Sequence, residues 1–167
     1  MNWEDKQTVK KGTFAEEIID KYLISKNIIP YIPNFDGAHP FDRLCAKTDK
    51  KSIYILDIKA KASRNYYPDT GIDYKHYKEY KYLEEKYKVP IVLIFVDEYK
   101  AEIYGNILEH LTKPTIINNK NYPSIEKTIN GVEIIYFPLI NMKTINKLTN
   151  KQVEKLKQLS TRNFEYL

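Results

Sequence analysis

Residues 53 to 59, Ile-Tyr-Ile-Leu-Asp-Ile-Lys, constrain the fold more than any other stretch of this chain. A strongly apolar run ends in two polar residues, Asp57 and Lys59, spaced two apart. In a β-strand such residues point to the same face. Ile53, Ile55, Asp57 and Lys59 therefore share one face, and Tyr54, Leu56 and Ile58 share the other. A carboxylate at the mouth of a hydrophobic strand can hold a divalent metal. The lysine beside it can hold or activate whatever lies next to that metal.

A second short strand stands upstream, Phe41-Asp42-Arg43-Leu44-Cys45-Ala46, followed by the turn-like Thr48-Asp49-Lys50-Lys51-Ser52. A hairpin with Asp49-Lys50 as a two-residue loop sets Asp42 directly opposite Asp57, whereas a three- or five-residue loop breaks that opposition. Opposed residues of an antiparallel pair hold their Cβ atoms about 4.5–5.5 Å apart. Two ionised carboxylates at about 5 Å repel by roughly 3 kcal/mol at an effective dielectric near 20. A cation between them turns that penalty into a binding site, and hard oxygen ligands suit Mg²⁺ or Mn²⁺.

At 167 residues the chain fits one domain with a real core. A net charge of +5, from 27 Lys and Arg against 22 Asp and Glu, permits a nucleic-acid partner without demanding one. The single cysteine, Cys45, sits inside an expected strand, so no disulfide framework exists and a reducing compartment is expected. No apolar run approaches the ~20 residues of a membrane span, and the N-terminus lacks a signal-peptide core. The expectation is a soluble, cytoplasmic protein with no membrane partner.

Apolar spacing predicts a helix over residues 13 to 26 through Phe14, Ile18, Ile19, Tyr22 and Leu23. Asn27, Pro30 and Pro33 end it. Residues 63 to 71 read as a loop, residues 73 to 88 as a helix dense in Tyr and Lys, and Pro90 as its stop. The continuous apolar run 91 to 96 reads as a strand buried on both faces. Residues 102 to 104 suggest a short edge strand, and residues 132 to 137 another strand. Residues 106 to 128 show no clear period. Thr149 with Gln152 forms a capping box for a last helix carrying Val153, Leu156 and Leu159.

Four pieces in this order carry a resemblance. Lys11-Gly12-Thr13-Phe14-Ala15-Glu16 looks like an opening Gly-x-x-x-Glu, and Phe41-Asp42-Arg43-Leu44 like a metal-binding aspartate strand. Leu56-Asp57-Ile58-Lys59 looks like an (Asp/Glu)-x-Lys signature. Residues 89 to 97 and Glu102-Ile103-Tyr104 look like the strands that close such a fold. From residue 12 to about 105 the chain thus resembles the PD-(D/E)xK nuclease superfamily, and within it the archaeal-type Holliday junction resolvases. Tyr-Pro-Asp-Thr-Gly-Ile-Asp at 67 to 73 and Ile-Tyr-Gly at 103 to 105 are also similar to small nuclease-like proteins of phages and their bacterial hosts.

The resemblance implies an α/β, restriction-endonuclease-like αβββαβ core, a mixed central sheet flanked by helices, over residues 1 to 105. Residues 106 to 167 would be a mostly helical extension packed on or beside the same domain. It implies a Mg²⁺-dependent endonuclease hydrolysing phosphodiester bonds in DNA, junction or branched DNA included, with Mn²⁺ able to substitute. DNA and a second copy of the chain would be its partners. Asp42 and Asp57 would bind the metal together with the Ile58 carbonyl. Lys59 would steady the attacking water or the transition-state charge, and Glu16 would reach the metal through water.

Each residue also has a plainer role to weigh. Glu16 stands equally in a capping box with Thr13, and Glu17 is near. His39, three residues before Asp42, is a candidate substrate contact. Lys61 extends the Asp57 and Lys59 face toward a phosphate. Arg64, Lys75 and Lys78 interleave with Tyr66, Tyr67, Tyr74 and Tyr77, a surface that can grip a nucleic-acid backbone; alternatively the tyrosines pack on the sheet and the lysines meet water. Cys45 reads as a core thiol. Neither a phosphate-binding glycine loop nor a nucleophilic-serine motif is present. The alternative function is a catalytically inactive nuclease-fold accessory protein that binds nucleic acid, and a metal-binding or protein-interaction module stands third.

Overall fold

The computed structural model describes residues 6–34, 40–48 and 52–160. Apolar residues three and four apart build the first element, α1 (Gln7–Ser25), whose buried face is Ala15, Ile18, Ile19 and Leu23. The helix begins before the expected residue 13. Its first turns carry no apolar period of their own, and a tertiary ion pair, Lys11 Nζ to Glu98 Oε1 at 2.7 Å, ties them down. Thr13 therefore lies inside the helix, where its hydroxyl donates to the Val9 carbonyl at 3.1 Å. The capping box expected of Thr13 and Glu16 is not formed. Asn27, at φ 56°, turns the chain out of the helix.

β1 (Ile28–Tyr31) follows, where the sequence reading places only the end of the helix. It lies at the sheet edge, the one place where a missing N–H such as that of Pro30 is tolerated. β2 (Arg43–Lys47) and β3 (Ile53–Lys59) pair antiparallel with Arg43 opposite Leu56 and Ala46 opposite Ile53. This is the expected register from residue 43 to 46, but it does not run on to Asp42, whose amide bonds the Leu56 carbonyl and not a partner at Asp57. The connecting loop, Asp49-Lys50 included, lies outside the described residues, as does His39.

β4 (Asp69–Asp73) replaces the end of the expected loop. It is too short to alternate visibly, and its partner is remote in sequence. α2 (Tyr74–Tyr87) then crosses to β5 (Ile91–Asp97), which runs parallel beside β3 with Asp57 opposite Leu93. β5 is buried on both faces, as its unbroken apolar run requires. β6 (Glu102–Ile107) pairs antiparallel with β5.

The C-terminal part corrects the expectation of a mostly helical extension. It contains α3 (Leu108–Leu111), β7 (Thr115–Ile117), β8 (Lys120–Tyr122), β9 (Ser124–Lys127), β10 (Glu133–Pro138), β11 (Lys143–Lys147) and α4 (Asn150–Gln158). β7 and β8 form a hairpin closed by Asn118 and Asn119, both at positive φ, as tight hairpin turns demand. β11 pairs with β6 and takes the sheet edge, so residues 102 to 104 are interior and not an edge. α4 starts on the expected capping box of Thr149 and Gln152.

The central mixed sheet runs β1-β2-β3-β5-β6-β11, and a second sheet runs β4-β10-β9. Helices flank the central sheet, the mixed α/β architecture expected. On one face α1 and α4 close a core with Leu56, Ile58, Ile94 and Val96. On the other face Ile55, Leu93 and Phe95 pack with Tyr80 of α2 and Phe137 of β10. The C-terminal end of β3 emerges between these two layers.

Candidate active site

Asp42 precedes β2, and its amide donates to the Leu56 carbonyl at 3.2 Å, one residue out of the β2–β3 register, so that Asp42 and Arg43 both lie against Leu56. Its Oδ2 accepts the Ile58 amide at 2.6 Å. Asp57 is buried, and its Oδ2 lies 2.7 Å from the Lys59 ammonium. The angles there are those of an ion contact, and this buried oxygen accepts no directed hydrogen bond. The phenol of Tyr80, buried on α2, engages the Asp57 carboxylate. Burial first, and then the Asp57 charge and hydrogen bond, hold the phenolic proton firmly on.

Electrostatics single out the pair. Burial pushes the Asp42 carboxyl up to about 6, and the Asp57 charge pushes in the same direction. The Ile58 amide, Lys59 and Arg43 offset part of that rise. A carboxyl raised by burial and by a second carboxylate beside it is characteristic of a site built for a cation or for chemistry.

Glu16 faces this pair from the middle of α1. Its carboxyl is raised by burial and by the Asp42 charge, and lowered by Arg43. Arg43 Nη2 lies 3.0 Å from Glu16 Oε2. The same guanidinium forks onto Asp20 through two bonds of 2.9 Å and donates to the Asp42 carbonyl at 2.7 Å. Arg43 thus joins α1 to the start of β2 and holds Glu16 beside Asp42.

The segment after Lys59 is pinned by Asp97. This fully buried carboxylate accepts from the Ser63 amide and the Tyr104 hydroxyl, both at 2.8 Å. Its other oxygen accepts from the amides of Tyr99 and Lys100. Lys61 sits on this pinned segment, and its own amide donates to the Lys59 carbonyl at 2.9 Å.

Other expected contacts fall elsewhere. Arg64 is consumed internally: it forks onto Asp69 with bonds of 2.6 Å and onto Glu126, between the rings of Tyr67 and Tyr136. Lys120 joins the same carboxylates, and the Tyr122 hydroxyl donates to Asp69 at 2.7 Å. With those donors engaged, Arg64 clasps β4 to the C-terminal strands and does not present itself to a phosphate. Lys75 and Lys78 stand on the exposed face of α2, the first 4.0 Å from Glu79 and the second over the Tyr74 ring. The Cys45 thiol is buried and pushed up to about 11 by burial, a core thiol as expected.

Three contributors escaped the sequence reading: Asp20, Arg43 and Tyr80. Tyr80 is the buried residue of a tyrosine-rich helix, and no spacing rule separates it from its neighbours. Arg43 had a signal, since a basic residue inside an apolar strand calls for a buried acid.

The donors fit a hard divalent cation. Two close carboxylates, one with a buried oxygen lacking a directed hydrogen bond, and a nearby backbone carbonyl supply oxygen ligands. Among the described residues no three His, Cys, Asp or Glu side chains form a cage alone.

No family model matches the chain, and no curated protein matches it. Among solved structures the chain is similar to Hjc of Archaeoglobus fulgidus, a Holliday junction resolvase from an archaeal hyperthermophile. The identity is 11%, the match covers 74% of this chain and 88% of the resolvase, and the TM-score is 0.48. Among the described residues no helix is long and apolar enough to cross a membrane.

Proposed function

We propose that this chain is a divalent-metal-dependent nuclease that hydrolyses phosphodiester bonds in DNA. One observation carries the reading: two carboxylates converge at the end of a buried hairpin, Asp42 on the Ile58 amide at 2.6 Å and Asp57 2.7 Å from Lys59. Burying like charges beside a polyanion is costly. A mere binder of DNA gains nothing from it.

Asp42, Asp57 and the Ile58 carbonyl would hold Mg²⁺, or Mn²⁺ in its place. When bound, such a cation polarises a phosphate oxygen and lowers the pKa of a water. The chain's own groups supply the rest. The Asp42–Ile58 hydrogen bond fixes the Asp57–Ile58 peptide, the one just before the Ile58 carbonyl that would face the cation. Lys59 places positive charge where the phosphorus gathers negative charge. Glu16, held by Arg43, stands ready to accept a proton or to order water from the α1 side.

The test is cleavage of labelled linear, flapped and four-way-junction DNA in Mg²⁺, Mn²⁺ or EDTA, with Asp57→Ala beside the wild type. Metal-dependent cutting by the wild type alone is the expected result. Binding of DNA without cutting by either protein in any metal overturns the enzyme and leaves an accessory protein.

A further inference from the structure

A cavity of about 340 Å³ lies over the end of β3. Thr8 and Gly12 of α1 form one wall, Gly71 of β4 and His76 of α2 the other, and Lys59 and Lys61 line the floor. A second cavity of about 360 Å³ shares Thr8 and Lys61 with the first and runs on to Lys11 and Ser160. The two form one slot that passes Lys59.

Gly12 is the unusual wall residue. It lies within α1, where glycine is the poorest helix former after proline. Its backbone is not left-handed, and an added Cβ would meet nothing within 4 Å. Neither conformation nor protein packing asks for a glycine there. What its missing side chain leaves is room for another molecule to approach the helix backbone closely.

We propose that this slot is the track of a single DNA strand, with Gly12 the point of closest passage; the proposal rests on the nuclease reading for what happens at Lys59. Size favours one strand. The first cavity is at the low end of the roughly 300–1,000 Å³ of small-molecule sites, room for about one nucleotide at a time. Its walls come from the layers on opposite faces of the central sheet. A duplex, whose grooves are about 12 and 6 Å wide, lies across such a mouth and not within it. Lys59 and Lys61 follow the path of the phosphates, and the His76 ring, tilted against Tyr80 at 6.4 Å, offers a face to a base.

The experiment measures anisotropy of a labelled single-stranded oligonucleotide, its duplex and a four-way junction in EDTA, on the full chain, and in parallel cleavage in Mg²⁺ and Mn²⁺. Gly12→Ala strengthens the helix and fills little of the slot, whereas Gly12→Leu fills it. Gly12→Leu is expected to weaken single-strand binding about tenfold and Gly12→Ala by less than about threefold. Should the leucine variant melt below the wild type, Lys61→Ala decides instead. It is expected to flatten the log–log salt dependence of single-strand binding by about 0.7, the value of one phosphate contact. Tighter binding of duplex or junction than of the single strand, or single-strand binding indifferent to these substitutions, overturns the track whether or not DNA is cut. Single-strand binding lost in Gly12→Leu, with no cleavage by the wild type, keeps the track and removes the nuclease.

Discussion

Asp42 Oδ2 accepts the amide proton of Ile58 at 2.6 Å, so the acid that precedes β2 fixes the Asp57–Ile58 peptide of β3. The same carboxyl is pushed up to about 6, by burial first and then by Asp57. The metal-free folded state therefore binds more protons than the unfolded chain between pH ~4 and ~6. Stability falls as pH rises through that window, and the deficit is complete above it. Thermal melts in EDTA are expected to show this decline, and Mg²⁺ at pH 7.5 to reverse it. Asparagine keeps an acceptor for Ile58 without the charge, so Asp42→Asn is expected to raise metal-free stability at pH 7.5 by about 1–3 kcal/mol. A wild type whose melting temperature is flat from pH 4 to 7.5 speaks against the buried pair.

Tyr80 is the positioning residue for Asp57. Tyr80→Phe keeps the ring and its packing and removes the hydroxyl. Calorimetric titration with Mg²⁺ is expected to show affinity about 10–100-fold weaker. The loss of stability should stay near 1 kcal/mol. Unchanged metal affinity would show that the phenol only fills space.

Arg43 compensates Glu16 and Asp20 from a site that is itself buried. Arg43→Ala leaves both acids facing Asp42 without their cation, and breaking such a pair costs about 3–5 kcal/mol. Lysine restores a charge but not the fork, so Arg43→Lys should recover only part of the loss. Urea denaturation reads both values, and equal stability of all three proteins would contradict the assignment.

Arg64 separates an internal clasp from a phosphate contact. Arg64→Ala, which removes the charge as well as the fork, is expected to lower stability by about 1–3 kcal/mol through the lost bonds to Asp69 and the lost ring stacking. The salt dependence of DNA binding should keep its slope, since no counterion-releasing contact is removed. A flatter slope with unchanged stability would return Arg64 to the DNA surface.

The hairpin of Asp42 and Asp57 was legible because alternation and register are local: two short apolar strands fix which side chains face each other. The same holds for β5, whose unbroken apolar run leaves no alternative, and for the capping box at Thr149. Glu16 was legible as a candidate, but its partner was not. Thr13 and Glu16 satisfy a local rule that the earlier start of α1, held by Lys11 and Glu98, overrides. β4 and β11 were missed because each is five residues long and owes its conformation to a distant strand, a contact that local periodicity does not record. β7 and β8 pair locally with each other, but at three residues each they show no period, and their Asn118-Asn119 turn lacks the Asn-Gly signal. Arg64 looked like a surface base because the acid from β9 that engages it, Glu126, lies 62 positions away.

β4 is an edge of its sheet, and its one neighbour there is β10. A nascent chain that has reached Asp97 already holds Asp42, Asp57 and Lys59. It does not yet hold residues 133 to 138, against which Gly71 and its neighbours must lie. The slot thus has one finished wall until late in translation. The ribosome delivers the two acids and the lysine first and the strand that completes the opposite wall last.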